Sequence, residues 1–325
     1  MTLIARLNPT NYLAEKEKFW ADPTYNPQFQ YPEPTTIEEL QEFGLPEEKY
    51  LDLALEVLKK SYYGRNEQDL FMMEGPRMNQ EQVNEKVEYF LRMHHLETKF
   101  EVVWSSSFIS RASMTADTIK LRLPVDFHKE GLIGMIYHEI GTHGLRRINY
   151  EQQPWYKHKL KYGFADHLLT EEGLAVLHAL IPHSFKSTFI GAIRYVAISY
   201  AQDHSFSELW QLLGKSIQDE ERRWNVTFRA KRGLTDTSQP GGLTKDLVYF
   251  KGPFIVWQWL KARNYELKPL YFGKVACEDV DKAIALNPQF EPLLPSFYVT
   301  NPEEYARELE KIGTENMFDS IRIDS

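Results

Sequence analysis

An α+β architecture, predominantly helical and with one small antiparallel β-sheet ahead of its longest helical stretch, is what this 325-residue sequence predicts. Three observations lead there. Apolar residues recur at helical spacing over most of the chain. Short β-branched segments are confined to residues 99–124. The Gly/Pro/Ser-rich stretches between periodic segments are brief.

Taken in order, NPTNYLAEKEKFW (8–20) reads as a capped helix start and an amphipathic helix. Residues 26–36 carry prolines at 27, 32 and 34 and read as an extended connector. Residues 38–63 and 79–95 are helical in pattern, the second with Val83, Val87, Phe90 and Leu91 along one side. FEVVW (100–104), SFISRASM (107–114) and DTIKLRLP (117–124) read as strands separated by Ser, Thr and Asp turns. From Gly131 helical patterns dominate to about Ala262, interrupted by the polar RGLTDTSQPGG (232–242). The ending GTENMFDSIRIDS reads as a loose tail or a short strand.

Charge divides the chain. Residues 1–99 hold 11 Lys or Arg against 18 Asp or Glu, so they carry -7 of the net -8. The expected organisation is therefore an acidic helical region at 1–98, packed on a second domain at 99–325 that contains the sheet at 99–124. A hydrophobic fraction of 42% with 26% charged residues is that of a soluble globular protein. No apolar run approaches the roughly 20 residues of a membrane span, and the first residues lack a signal-like apolar region. There is no broad basic footprint for a nucleic acid. The single cysteine, Cys277, excludes an internal disulfide and a cysteine-based zinc cage, so a cytoplasmic location is expected.

Chemistry concentrates in GLIGMIYHEIGTHGLRR (131–147), where His138, Glu139 and His143 follow an apolar helix. Histidines four apart share a helix face and can grip one zinc ion. These are five apart, which leaves them roughly 140° apart on a regular helix. The spacing serves a metal only if the turn is widened, as in the π-bulges found mostly at functional sites. Gly141, between the histidines, would tolerate that distortion. A catalytic zinc takes three protein ligands and one open position. The candidate third ligand lies in LLTEEGLAVLHAL (168–180), where Thr170 reads as an N-cap and Glu171 and Glu172 sit in the first turn. Glu139 could then act as the base that takes a proton from the attacking water. His158, His167 and His178 are rival ligands, each by itself an ordinary surface or core histidine.

HEIGTHGLRRIN, QPW at 153–155, TEEGLA at 170–175 and KRGLTDTSQPGGLTKDLVYFKG at 231–252 together resemble the microtubule-associated tyrosine carboxypeptidases and their bacterial relatives with a QEGLA motif. The match covers most of residues 110–255; the first hundred residues match mainly through NPxxY. The resemblance implies a Zn2+ peptidase with ligands His138, His143 and Glu172, the carboxylate directly before GLA, and with Glu139 as general base. Glu171 stands where the bacterial motif has Gln, as in eukaryotic members, which favours peptidase activity. The implied substrate is a peptide or protein C-terminal tail, such as that of tubulin, losing its final tyrosine.

A carboxypeptidase must neutralise a terminal carboxylate. Residues 222–232 hold five basic residues and no acid, and residues 144–163 hold five Lys or Arg against one Glu. Lys231 and Arg232 are the expected carboxylate binders, since they begin the matching block, and Tyr249 is the expected oxyanion donor. The strand 117–124 is a candidate edge for aligning an extended substrate. A zinc peptidase of other specificity and a non-catalytic metal-binding regulator are the alternatives.

Overall fold

The computed structural model describes residues 6–65, 67–108 and 111–321. It divides into two compact units, each assembled from two chain segments. The first comprises Met1–Glu67 with Thr188–Phe250, and the second comprises Gln68–Ser187 with Lys251–Ser325. The partition therefore does not run at residue 98. The acidic region contributes its first part to one unit, while residues 68–98 belong with the metal-site segment.

In the first unit, helix α1 (Tyr12–Ala21) and α2 (Glu48–Ser61) precede α7 (Phe189–Ala201), α8 (Phe206–Leu213) and α9 (Glu220–Lys231) in chain order, the helices numbered between them belonging to the second unit. Phe19, Phe29, Phe206, Trp210 and Trp224 form an aromatic core. The helix expected over 38–63 is two pieces: Ile37–Leu40, capped by Thr36, and α2. Gly44, at φ 87°, and Pro46 break the interval between them.

The second unit carries α3 (Gln80–Met93), whose capping box joins Asn79 and Gln82. Its buried face is Val83, Val87, Phe90 and Leu91. Three strands follow: β1 (Glu101–Ser105), β2 (Ala112–Met114) and β3 (Thr118–Arg122). β3 is central, with Ile119 and Leu121 fully buried on one face. The sheet is mixed rather than antiparallel. β2 and β3 pair antiparallel around a Thr115–Asp117 turn, but β1 runs parallel to β3. β1 and β2 thus lie on opposite sides of β3 and do not form a hairpin with each other. The expected strand 107–114 shortens to 112–114, and its residues 109 and 110 lie outside those described. Because β3 is flanked on both sides, it offers no free edge to a substrate.

Next come α4 (Lys129–Ile136), a π-helix (Tyr137–Gly144) and α5 (Leu145–Glu151), continuous in direction, and then α6 (Leu168–Leu180). α10 (Val248–Lys261) and α11 (Pro302–Glu315) complete the helices used below. α4 and α6 pack backbone to backbone at Gly134, where a Cβ would stand 2.5 Å from the Ala179 carbonyl oxygen. The chain end is not a loose tail as far as it is described. Phe318 is fully buried against Trp257, and its carbonyl accepts from Gln258 at 2.5 Å. Residues 322–325 of the expected tail lie outside the described residues.

Candidate metal centre

HEIGTH is held in π-helical geometry from Tyr137 to Gly144. A π-helix closes its hydrogen bonds five residues on, so residues five apart stack along one face. The Leu145 amide bonds the Ile140 carbonyl in this register, and Thr142 Oγ1 donates to the Tyr137 carbonyl at 2.8 Å. Two outside groups brace the widened turn. The buried Tyr271 hydroxyl donates to the Gly141 carbonyl at 2.6 Å. His178 Nδ1 lies 2.7 Å from Thr142 Oγ1 and its Nε2 lies 3.0 Å from the Tyr305 hydroxyl. Since the Thr142 proton goes to Tyr137, His178 donates from Nδ1 and accepts from Tyr305 at Nε2. Burial holds this imidazole well below its ordinary pKa, first by desolvation and then through Arg146. The rival ligand His178 is thus a neutral strut of the core.

The widened turn brings the two imidazoles together. His138 Nε2 and His143 Nε2 are 3.2 Å apart, and Glu172 Oε2 stands 3.9 Å from the first and 3.7 Å from the second. Among the described residues this trio is the one group able to hold a metal ion. A circle through the three atoms has a radius of about 2.1 Å, within the range of zinc–nitrogen and zinc–oxygen distances. The donor set, two imidazoles and a carboxylate, suits a catalytic zinc with an open position. The side chains keep between 14% and 21% of their surface exposed, which leaves an approach from solvent.

The electrostatics also call for a cation. Burial and the neighbouring His143 lower His138 to a pKa of about 4. On His143 burial opposes the charge, but hydrogen bonds and attraction from Glu171 and Glu172 outweigh it and raise the pKa to about 10. Glu139, next along the chain, is raised to about 7, by burial first and against the pull of His143.

Glu171 faces the other side of His143. Its Oε1 lies 2.8 Å from His143 Nδ1 and accepts from Lys274 Nζ at 2.7 Å, while its Oε2 accepts from Arg146 Nη1. Desolvation pushes its pKa up, yet Arg146 and Lys274 more than reverse this and hold it well below the carboxylate range. Glu171 thereby fixes Nδ1 of His143 as a donor and leaves Nε2 free to ligate, the arrangement by which carboxylates orient metal-bound histidines. Arg146 has no exposed surface and also donates to the carbonyls of Leu270 at 2.9 Å and Val275 at 2.8 Å. Thr170 is not the N-cap of α6, a position held by His167; its hydroxyl accepts from the Cys277 amide at 3.0 Å. The segment 270–277 was missed by sequence reasoning. Its signal, an LYFGKVAC string with one lysine, carries no ligand-like spacing.

The other expected residues are placed differently. Lys231 has no exposed surface, and its ammonium donates to the carbonyls of His204 (2.7 Å), Gln239 (2.6 Å) and Gly241 (3.0 Å). Its three protons are taken up in holding the 239–241 turn, with none left for a substrate carboxylate. Arg232 donates from Nε to the Leu7 carbonyl at 2.7 Å and from Nη2 to Asn8 Oδ1 at 2.5 Å. Both cations thus tie together main chain and side chains of the first unit. Tyr249 also belongs to that unit, with the Arg194 guanidinium 5.3 Å from its ring centre.

Similarity to known proteins agrees with this site. Residues 38–313 match the family model of the microtubule-associated tyrosine carboxypeptidase. The mouse microtubule-associated tyrosine carboxypeptidase 1 is 32% identical over 329 residues, which span 99% of this chain and 70% of that protein. Its human counterpart is 30% identical over 99% of this chain and 69% of its own length. A mouse protein named putative tyrosine carboxypeptidase MATCAP2 is 31% identical over 96% of this chain and 61% of its own length. With its His-His-Glu cluster and a match spanning nearly its whole length, the chain belongs to the microtubule-associated tyrosine carboxypeptidase family.

Proposed function

We propose that this protein is a zinc-dependent carboxypeptidase that removes a C-terminal residue, tyrosine in the first instance, from acidic protein tails such as that of tubulin. Family membership and the metal-binding trio support a carboxypeptidase-type, metallopeptidase-like activity. The observation that carries the reading is the convergence of His138, His143 and Glu172 on one metal-sized space beside Glu139. Bound there, zinc would supply Lewis-acid polarisation of the scissile carbonyl and a more acidic water. Glu139 takes the proton of the attacking water and returns it to the leaving amine. Glu171 keeps His143 in its ligating tautomer. Among the described residues no helix is long and apolar enough to cross a membrane.

An intact base beside the metal ligands speaks against a purely structural metal site, which has no use for one. Mass spectrometry of tubulin-tail peptides and of a random peptide pool after incubation tests the reading. Loss of one terminal tyrosine from the tails is expected. Internal cleavage throughout the pool would favour a peptidase of other specificity, and intact peptides beside a zinc-loaded protein would favour a regulator.

A further inference from the structure

Resting on the carboxypeptidase reading, we propose that Lys274, seconded by Lys159, is the cation that receives the terminal carboxylate of the substrate. Three cations surround Glu171, and they differ in what they have left to give. Arg146 has no exposed surface and spends its guanidinium on Glu171 and on the carbonyls of Leu270 and Val275. Lys274 makes one hydrogen bond, to Glu171 Oε1 at 2.7 Å, and keeps 22% of its side chain exposed. Two of its three N–H groups therefore have no partner among the described residues. Lys159 Nζ is buried without a hydrogen-bond partner among the described residues, 5.0 Å from the centre of the Tyr150 ring. Tyr150 in turn packs against Gly273, the neighbour of Lys274, with its Cα 3.2 Å from where a Cβ would stand. Tyr150 thus meets Lys159 with its ring and the neighbour of Lys274 with its Cα and Cβ.

A buried ammonium without a partner is costly, and an anionic ligand relieves that cost. The charge count points the same way. Glu139, Glu171 and Glu172 are balanced by Arg146, Lys159 and Lys274, so a divalent ion in the site leaves it two charges positive. A peptide ending in a free carboxylate suits such a site better than one ending in an amide.

Glu171 Oε1 touches both His143 Nδ1 and Lys274 Nζ, so Nζ stands at most about 5.5 Å from that ring nitrogen, which lies across the imidazole from the Nε2 that faces the metal position. A terminal carboxylate received by Lys274 is therefore held beside His143, next to the metal-binding trio.

The test uses the zinc-loaded Glu139→Gln protein, which binds substrate without turnover, and two fluorescent peptides of acidic residues ending in tyrosine. One peptide carries a free acid and the other an amide. Tighter binding of the acid is expected in this parent. Lys274→Gln, which retains a donor to Glu171, should weaken the acid peptide by at least about tenfold, as for a lost charge-assisted hydrogen bond. The amide peptide and the zinc content should be unchanged. Lys274→Arg should keep the preference, and Lys159→Met should lose part of it. Equal weakening of both peptides would mean that Lys274 only supports Glu171. Full discrimination by Lys274→Gln would overturn the assignment and leave the carboxypeptidase reading standing. A parent that binds acid and amide alike would remove both. Should Lys274→Gln lose zinc or fold poorly, the arginine and Lys159 variants decide: an arginine variant that loses the preference together with a Lys159 variant that keeps all of it would overturn the assignment.

Discussion

His138 Nε2 and His143 Nε2 face each other across 3.2 Å although the residues stand five apart on one continuous helix. That approach depends on the π-helical turn between them, and the turn in turn depends on Tyr271 and Thr142 donating to its carbonyls and on His178 holding the Thr142 hydroxyl. The metal site is therefore built by the packing around it as much as by its ligands.

Replacing any one ligand, His138→Ala, His143→Ala or Glu172→Ala, should abolish stoichiometric zinc binding. Metal analysis after gel filtration should find one zinc per wild-type chain and little in each variant. Wild-type-like zinc in both histidine variants would rule out the site.

Glu139→Gln preserves side-chain size but cannot accept the proton. Zinc content should hold while turnover falls by about 100- to 10,000-fold, the range for a lost general base. A Gln variant with most of its activity would assign the base role to another group.

Glu171→Gln should weaken zinc without abolishing its binding, by roughly 10- to 100-fold as for other outer-shell partners of ligating histidines. It also leaves Arg146 without its counter-charge in a buried setting, a loss typically worth about 3–5 kcal/mol. Competition against a chelator and denaturant titration measure the two effects separately. An unchanged stability would show that the Arg146–Glu171 pair contributes little.

At Gly141 a Cβ would stand 2.8 Å from Phe297 Cε1 and 3.4 Å from Phe90 Cζ. Gly141→Ala should therefore destabilise the protein by about 1–3 kcal/mol, the usual cost of overpacking. It should also loosen zinc binding by disturbing the turn between the histidines. A variant with wild-type melting temperature and zinc affinity would show that the turn does not need the missing Cβ.

His178 is held neutral by burial, its pKa well below the ordinary value. Below about pH 6.5 the unfolded chain binds a proton at this position that the folded chain refuses. Stability should accordingly fall as the pH drops below that value, by up to about 1.4 kcal/mol per pH unit from this residue alone. His178→Gln should be less stable at pH 7.5 yet show a shallower decline between pH 6.5 and pH 5. An identical slope in denaturation curves of the two proteins would exclude His178 as a contributor.

Much of this was written into local sequence. The helical character, the strand segment near residues 100–122 and the histidines and carboxylates that gather in the candidate site are all legible because they depend on periodicity, β-branching and short motifs. The five-residue histidine spacing even required a widened turn, which Tyr137–Gly144 supplies. Tertiary structure alone decided the rest. The parallel pairing of β1 with β3 joins strands that are not sequence neighbours, and the division into two units depends on contacts between distant stretches. Glu171 and Glu172 are neighbours with the same side chain; which one joins the two histidines in a group able to hold a metal was set by the helix face turned towards His143 and by Arg146 and Lys274 drawing Glu171 away. Lys231 reads in its basic run as a carboxylate binder, but the turn at 239–241 wraps its ammonium in carbonyls. A charge in a sequence carries no record of its partners, because solvation and pairing arise only when distant main chain closes around it.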